Sequence, residues 1–329
     1  MDMQEVRHRL NETDSRIAAA MLASPRASWR TVGRALGISE RTVVRRAAPL
    51  FHDGTLRATA VRSPVCFPEL IPVALRIRCR PNRISAIAAT LARRPDTVWV
   101  DVLGGGDEIC TVLFLDGPVA RSTLLLRDLP ATPAVRSWTS HVLLRVFPAG
   151  FDWSAGLLSP AELAGLRPDG GTDPVPAPPA LLPVDRQLIA ALVEDGRAPY
   201  TELAHRADTT PLTARRRLEL LVNGHVVRIA TEVDLAVLGI HAEALLWINV
   251  APGALEQTGQ QLSGHAQVRF TAATTGPANL LVAVAAADLN ALYVFLSDTV
   301  GALEHITAIE ATPILTGVKR TGLVRPGSL

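Results

Sequence analysis

Apolar residues recur at helical spacing in short stretches of this chain and at alternating spacing in many others. Ile17, Met21 and Leu22 place one apolar stripe on a helix running from Thr13 or Asp14 to about Ala23, and Ser24-Pro25 stops it. Ser28 is a suitable N-cap for a second helix, Trp29 to Leu36. Gly37 supplies a turn, because glycine accepts positive φ at no steric cost. Ser39 caps a third helix through Arg45 and Arg46 to about His52, closed by Gly54. Leu56–Arg62 then alternates apolar and polar, the pattern of a strand or wing. This order predicts a winged helix-turn-helix.

Downstream the period switches repeatedly between two and 3.6. Strands are expected at 72–79, 97–103, 109–115 and 135–147, with helices at 82–93 and 118–128. Strands split by helices in this order predict a ferredoxin-like βαββαβ sandwich, with its helices on one face of an antiparallel sheet. The whole pattern then returns at a shift of 171 residues: Asp14–Leu22 lies over Asp185–Val193, and Leu75–Pro81 over Leu246–Pro252. The second copy reads as helices 184–194, 200–206 and 211–222, with Thr210 as cap, Gly224, and a strand at 226–232. Strands 242–250, 267–274, 279–286 and 304–315 follow, with helices 253–262 and 288–299. Two departures stand out: Asp208-Thr209 replaces Gly37-Ile38, and Thr213 to Gly224 is one residue shorter than Thr42 to Gly54.

The expected fold is therefore α+β, a duplicated two-part module. Helix-turn-helix domains are expected at 1–62 and 183–233, and ferredoxin-like domains at 63–148 and 234–329. Between them 149–182 is rich in Pro and Gly; Ser159–Glu162 has a capping-box pattern, and 167–183 reads as a stiff extended linker. The two ferredoxin-like domains are expected to pair across their sheets. The faces carrying Leu75, Ile77 and Cys79, or Leu246, Ile248 and Val250, are too apolar to leave wet.

Composition sharpens this picture in a few places. Net charge is only +2, but 26–57 carries seven arginines against two acids, and 195–231 six against four. Basic character thus concentrates on the helical motifs. Cys66, Cys79 and Cys110 have no CxxC spacing and no nearby His pair, so no metal site is expected. No apolar run is long enough to cross a bilayer, and Met-Asp-Met-Gln-Glu is not a signal peptide, so a cytoplasmic protein is expected. The Gly104–Gly106 run follows a strand, but no Lys or Ser/Thr follows as in a P-loop. It reads as a tight turn or as a ligand loop. The eight histidines are scattered without triad-like spacing, Trp29 and Tyr200 read as braces for the second helices, and no catalytic residue or cofactor is expected.

A helix-turn-helix joined by a short strand to such a sandwich resembles the Lrp/AsnC family of transcription regulators. Asp195–Ala204, with sequence Asp-Gly-Arg-Ala-Pro-Tyr-Thr-Glu-Leu-Ala, is similar to the family motif at the second helix, and Asp234–Gly239 to its connector into the sandwich. The first copy keeps Arg26–Trp29 and Gly37–Val43, while 63–70 has drifted. The resemblance implies a sequence-specific binder of double-stranded DNA that self-associates through its ferredoxin-like domains. It also implies a small-molecule effector, an amino acid or similar, at a loop of glycine followed by an acid. Here that loop resembles Gly104, Gly105, Gly106, Asp107 and Glu108, and Thr275, Gly276 and Asn279, with an amide where the family has a carboxylate. The third helix of each copy should enter a major groove, its N-terminal residues reaching bases and later ones phosphates. Ser39, Arg41 and Thr42 sit at base or first phosphate positions, with Arg45 and Arg46 on phosphates. Thr210, Leu212, Thr213, Arg215, Arg216 and Arg217 play these parts in the second copy. Two alternatives compete with this reading. One is a siroheme-decarboxylase-like enzyme of the same superfamily, which a Soret band would reveal. The other is a sequence-tolerant architectural DNA binder, which would bind any DNA with a steep salt dependence.

Overall fold

The structure is a computed structural model; it describes residues 9–147, 153–166 and 179–328. The N-terminal pentapeptide and most of the 167–183 linker therefore lie outside the described residues. The first copy opens with α1 (Glu12–Ala23), α2 (Trp29–Leu36), α3 (Glu40–His52) and β1 (Leu56–Arg62). It continues as β2 (Leu70–Cys79), α4 (Ile84–Arg93), β3 (Thr97–Leu103), β4 (Glu108–Asp116), α5 (Gly117–Thr123) and β5 (Val135–Val146). A short α6 (Pro160–Leu166) precedes the second copy. That copy runs α7 (Pro183–Glu194), α8 (Tyr200–Arg206), α9 (Pro211–Asn223), β6 (Val227–Val233), β7 (Ala242–Val250), α10 (Leu255–Ser263), β8 (Val268–Thr274), β9 (Leu280–Ala286), α11 (Leu289–Val294) and β10 (Ile306–Arg320), with a last short β11 (Leu323–Val324).

Like parts of the two copies gather together. The described residues of 10–68 and 157–233 form one compact unit, which holds both helix-turn-helix motifs. Those of 69–156 and 234–329 form the other. In the first unit β1 and β6 pair antiparallel, from Leu56 opposite Val233 to Arg62 opposite Val227. Each wing thus uses the other wing to satisfy its backbone.

The second unit departs from the expected pair of separate sandwiches. Its strands run β10-β3-β4-β2-β5-β8-β9-β7, and β7 pairs again with β10, so eight strands close into one ring with β11 beside β10. The last strand of each copy makes the closure. β5 pairs with β2 over Val135–Val142, then leaves and pairs Leu143–Val146 with β8. β10 pairs with β7 over Ile306–Pro313, then continues along β3 from Ile314 to Lys319. At 12 and 15 residues these strands are long enough to serve two sheets, and closure leaves neither sheet an open edge.

The face that joins the copies is also not the expected one. Leu75, Ile77 and Cys79 pack under their own copy's α4 with Ile84, Ala88 and Leu91. Leu246, Ile248 and Val250 likewise pack with Leu262 of α10 and with Phe295. The inner face carries the opposite parity, Ala74, Val112, Leu143, Leu245, Trp247, Leu281 and Ala283. Both faces of these strands are buried, so apolarity alone does not say which one meets the other copy.

Two turns correct the sequence expectation. Gly224 has φ −80°, and His225 takes the left-handed conformation instead, at φ 52°. His225 is the counterpart of Gly54 (φ 74°), so the third helices have the same length after all. Asp208 occupies φ 46° where Gly37 has 69°, consistent with the tolerance of Asp for that region.

Candidate nucleic-acid interface

Each third helix begins with a built cap. Ser39 Oγ accepts from the Thr42 N–H at 3.1 Å, and Thr210 Oγ1 accepts from the Thr213 N–H at 3.2 Å. Hydroxyls of 39 and 42 also bond at 2.9 Å, as do those of 210 and 213. Val43, Ala47 and Leu50 of α3, and Ala214, Leu218 and Leu221 of α9, are buried. That fixes which side faces out: Arg41 and Arg45 are exposed on α3, and Leu212, Arg215 and Arg216 on α9. Arg215 holds Glu219 one turn on at 2.8 Å.

Arg46 and Arg217, counterparts in the repeat, turn toward their own first helices. Arg46 reaches Asp14 at 3.1 Å. Arg217 grips Asp185 with two bonds, 2.8 and 2.5 Å, and Asp185 is fully buried. The paired charge draws the Arg217 pKa upward. These two arginines fasten α3 to α1 and α9 to α7, whereas Arg41, Arg45, Arg215 and Arg216 point away from that packing.

The two motifs are locked to each other by a second pair of counterparts, aligned in the repeat but given no role by the sequence. Arg26 donates to the Gly196 and Ala198 carbonyls at 2.7 and 3.0 Å and stacks on Tyr200 at 5.0 Å. Arg197 donates to the Pro25 and Ala27 carbonyls and stacks on Trp29 at 4.2 Å. Burial, and the nearby Arg26 charge, pull the Arg197 pKa down to about 10. Trp29 and Tyr200 thus brace the contact between motifs. Thr59 on β1 donates to the Val193 carbonyl at 2.8 Å, and the Gly196 N–H to the Ala58 carbonyl at 2.9 Å. The signal was present in the repeat, where Arg26 and Arg197 align at the 171-residue shift.

The glycine loops sit where the last strands cross between copies. The Gly104 N–H donates to the Pro313 carbonyl at 2.8 Å, and its counterpart, the Thr275 N–H, to the Val142 carbonyl at 3.0 Å. Gly106 and Gly276 take φ 68° and 109°. A Cβ on Gly105 would lie 2.7 Å from Asp107, and one on Gly276 would strike the His141 ring. Glu108 is spent on Arg76 at 2.5 Å. Asn279 caps the end of β7, accepting from the Val250 N–H at 2.9 Å and donating to the Val250 carbonyl at 2.7 Å. Among the described residues no group of acids, histidines and cysteines is arranged to hold a metal, and no helix is long and apolar enough to cross a membrane.

Comparison with known proteins agrees with this architecture. The family model for the Lrp/AsnC ligand binding domain matches residues 243–324, and that for the AsnC-type helix-turn-helix domain matches 183–221. The transcriptional regulator LrpA1 of Halobacterium salinarum is 31% identical over 125 residues, covering 38% of this chain and 88% of that protein. The regulator AldR of Mycobacterium tuberculosis is 29% identical over 141 residues, covering 42% and 79%. Among solved structures, the siroheme decarboxylase NirDL superposes with a TM-score of 0.58 over 96% of this chain and 93% of its own, at 14% identity. At that identity the likeness is one of fold. With two capped, outward-facing basic helices on one unit and these relatives, the chain belongs to the Lrp/AsnC family of helix-turn-helix transcriptional regulators.

Proposed function

We propose that this regulator reads duplex DNA sequence-specifically with α3 and α9 at once. One observation carries the reading: both helices, at the same place in the repeat, expose Arg41 with Arg45 and Arg215 with Arg216, while reciprocal Arg26 and Arg197 contacts hold the motifs together. Ser39, Thr42, Thr210 and Thr213 stand at the helix N-termini, where base edges and the first phosphates are met. Arg46 and Arg217 support the helices. In this reading 1–62 and 183–233 bind DNA, 63–148 and 234–329 pair and bind an effector, 149–182 connects them, and the protein works in the cytoplasm. The effector, an amino acid or similar molecule, meets the backbone of Gly104–Asp107 or Thr275–Gly276, since Glu108 and Asn279 are already bonded within the protein.

The test is fluorescence anisotropy with genomic fragments across a salt series. Arg45→Ala should weaken binding to all sequences and flatten the salt slope by about 1, whereas Arg41→Ala should weaken binding and relax discrimination by about 1–3 kcal/mol at the base it meets. Unchanged affinity in both would sink the proposal; equal affinity for every sequence would favour an architectural role. A second reading, an enzyme acting on siroheme, rests on the full-length fold likeness to NirDL. A shift in the visible band of an iron tetrapyrrole on adding the chain would favour it.

A further inference from the structure

The inner face of the closed sheet is apolar at its centre but carries two ion clusters, and each is completed only by joining unlike halves. Arg76 on β2 holds Glu310 on β10 through two bonds, 2.8 and 2.6 Å, while its Nε bonds Glu108 of its own half. The same guanidinium lies 5.3 Å from the ring centre of Trp247. Arg76 and Trp247 are the same position of the repeat, 171 residues apart. The pseudo-two-fold therefore brings one position face to face with itself, and the duplicated site has diverged into a cation and the ring that receives it. In the second cluster Arg320 of the second half bonds Asp101 of the first at 3.0 Å and Glu243 at 2.6 Å, and Arg269 bonds Glu243 at 3.0 Å. Asp101 is fully buried.

Pairing like with like would break both clusters. Two first halves would set Arg76 against a second Arg76, with Thr139 where Glu310 belongs, and Asp101 would lose Arg320. Two second halves would set Trp247 against Trp247 and leave Glu310 with no arginine at position 76 or its counterpart. Arg76, with 16% of its side chain exposed, and Asp101, with none, are the buried charges here, while Glu310 at 55% is the exposed one; a buried charge without its partner is strongly destabilising, and unpaired charges of this kind are how interfaces reject wrong partners.

We infer that these clusters are a pairing code: each half of this chain closes on the unlike half and rejects a like half from a second chain. The apolar inner face supplies the adhesion, and Arg76–Glu310 with Asp101–Arg320 supplies the choice. This does not depend on DNA binding, and its test uses no DNA. Two full-length variants erase the code by making counterparts alike. One is Arg76→Trp with Glu108→Asn and Glu310→Thr; the other is Asp101→Ala with Arg320→Ala. Arg76→Lys keeps the asymmetry and serves as control. Sedimentation over a hundredfold range of concentration, with circular dichroism as a check on folding, reads the outcome. Wild type and the control should share one association behaviour. Both erased variants should fold and associate at least tenfold more tightly, as like halves begin to pair between chains. Erased variants that associate no more than wild type would overturn the inference. So would loss of the fold in both, since an apolar face should close without a code laid over it.

Discussion

Arg46 and Arg217 occupy the same position of the repeat, yet their carboxylate partners differ in burial: Asp14 keeps 17% of its side-chain exposure and Asp185 none. Removing the arginine strands the acid, and the penalty grows with desolvation. Arg46→Ala should therefore cost about 1 kcal/mol in urea unfolding, and Arg217→Ala about 3–5 kcal/mol. Equal losses would show that burial does not set the difference. Asp101 gives a pH signature at the same scale. Burial pushes its pKa up to about 6, against the pull of Arg320 and with Glu243 adding to the rise. A folded pKa above the unfolded one means that the native state holds the proton more tightly. The contribution is fully present below about pH 4 and is lost as pH rises through 6. Stability of wild type relative to Asp101→Asn should therefore fall by roughly 2 kcal/mol between pH 4.5 and 7.5. A constant difference across that range would contradict this assignment. Glu108 and Asn279 show what sequence cannot say at this scale. Both look like ligand groups in a loop, and only the fold reveals that Arg76 and the Val250 backbone already occupy them.

At the level of elements, local signals were legible wherever local chemistry decides. Ser28 and Ser39 cap the helices they were expected to cap, and α2, β1 and α8 have the expected bounds. Ser159 and Glu162 close their capping box at the head of α6, through bonds of 2.7 and 3.3 Å. Part of what stayed hidden is local backbone geometry without a sequence signature, and part depends on partners distant in sequence. The π-helical turns at Leu124–Asp128 and Phe295–Val300 have no periodic signature that separates them from the α-helices they extend. The left-handed residues at 208 and 225 are not glycines, so turn chemistry pointed one residue early, to Gly224. The inward parity of β2 and β7 was invisible because both faces are apolar. A close backbone approach now identifies one glycine that composition did not mark. A Cβ at Gly196 would lie 2.6 Å from the Thr59 amide nitrogen and 2.9 Å from the Ala58 carbonyl carbon, both backbone atoms that cannot swing away. Gly196→Ala should push β1 from the loop and cost about 1–3 kcal/mol. Gly253→Ala meets nothing within 4 Å, and should leave the thermal midpoint within a degree or two. A larger loss at 253 than at 196 would refute the packing argument.

For the whole chain, the proposed use of both helices means that duplication would turn a symmetric reader into an asymmetric one. Two identical subunits present identical helices, and operator symmetry mirrors protein symmetry. Here the two sets that would face the groove differ at aligned positions: Arg41 against Leu212, and Val44 against Arg215, while Thr42 aligns with Thr213 and Arg45 with Arg216. Leu212 is 60% exposed, an apolar side chain left at a helix N-terminus with no core to fill. Arginine at that place suits the paired acceptors of guanine, whereas a leucine suits the methyl of thymine. The preferred site should then hold two unlike half-sites, one with a guanine under Arg41 and one with a thymine under Leu212. Their spacing is set by the β1–β6 pairing and the Arg26 and Arg197 contacts, not by the length of the connector. Inserting five base pairs between half-sites should therefore abolish simultaneous engagement, because it turns the second half-site to the opposite side of the duplex. Leu212→Arg is the decisive variant. It should shift the second half-site toward guanine by about 1–3 kcal/mol at that position and move the best operator toward a palindrome, leaving preference at the first half-site unchanged. Selection from a randomised DNA pool, run on wild type and on Leu212→Arg, measures both halves at once. A palindromic site already preferred by wild type, or a variant whose selected site does not move, would refute the asymmetric reader.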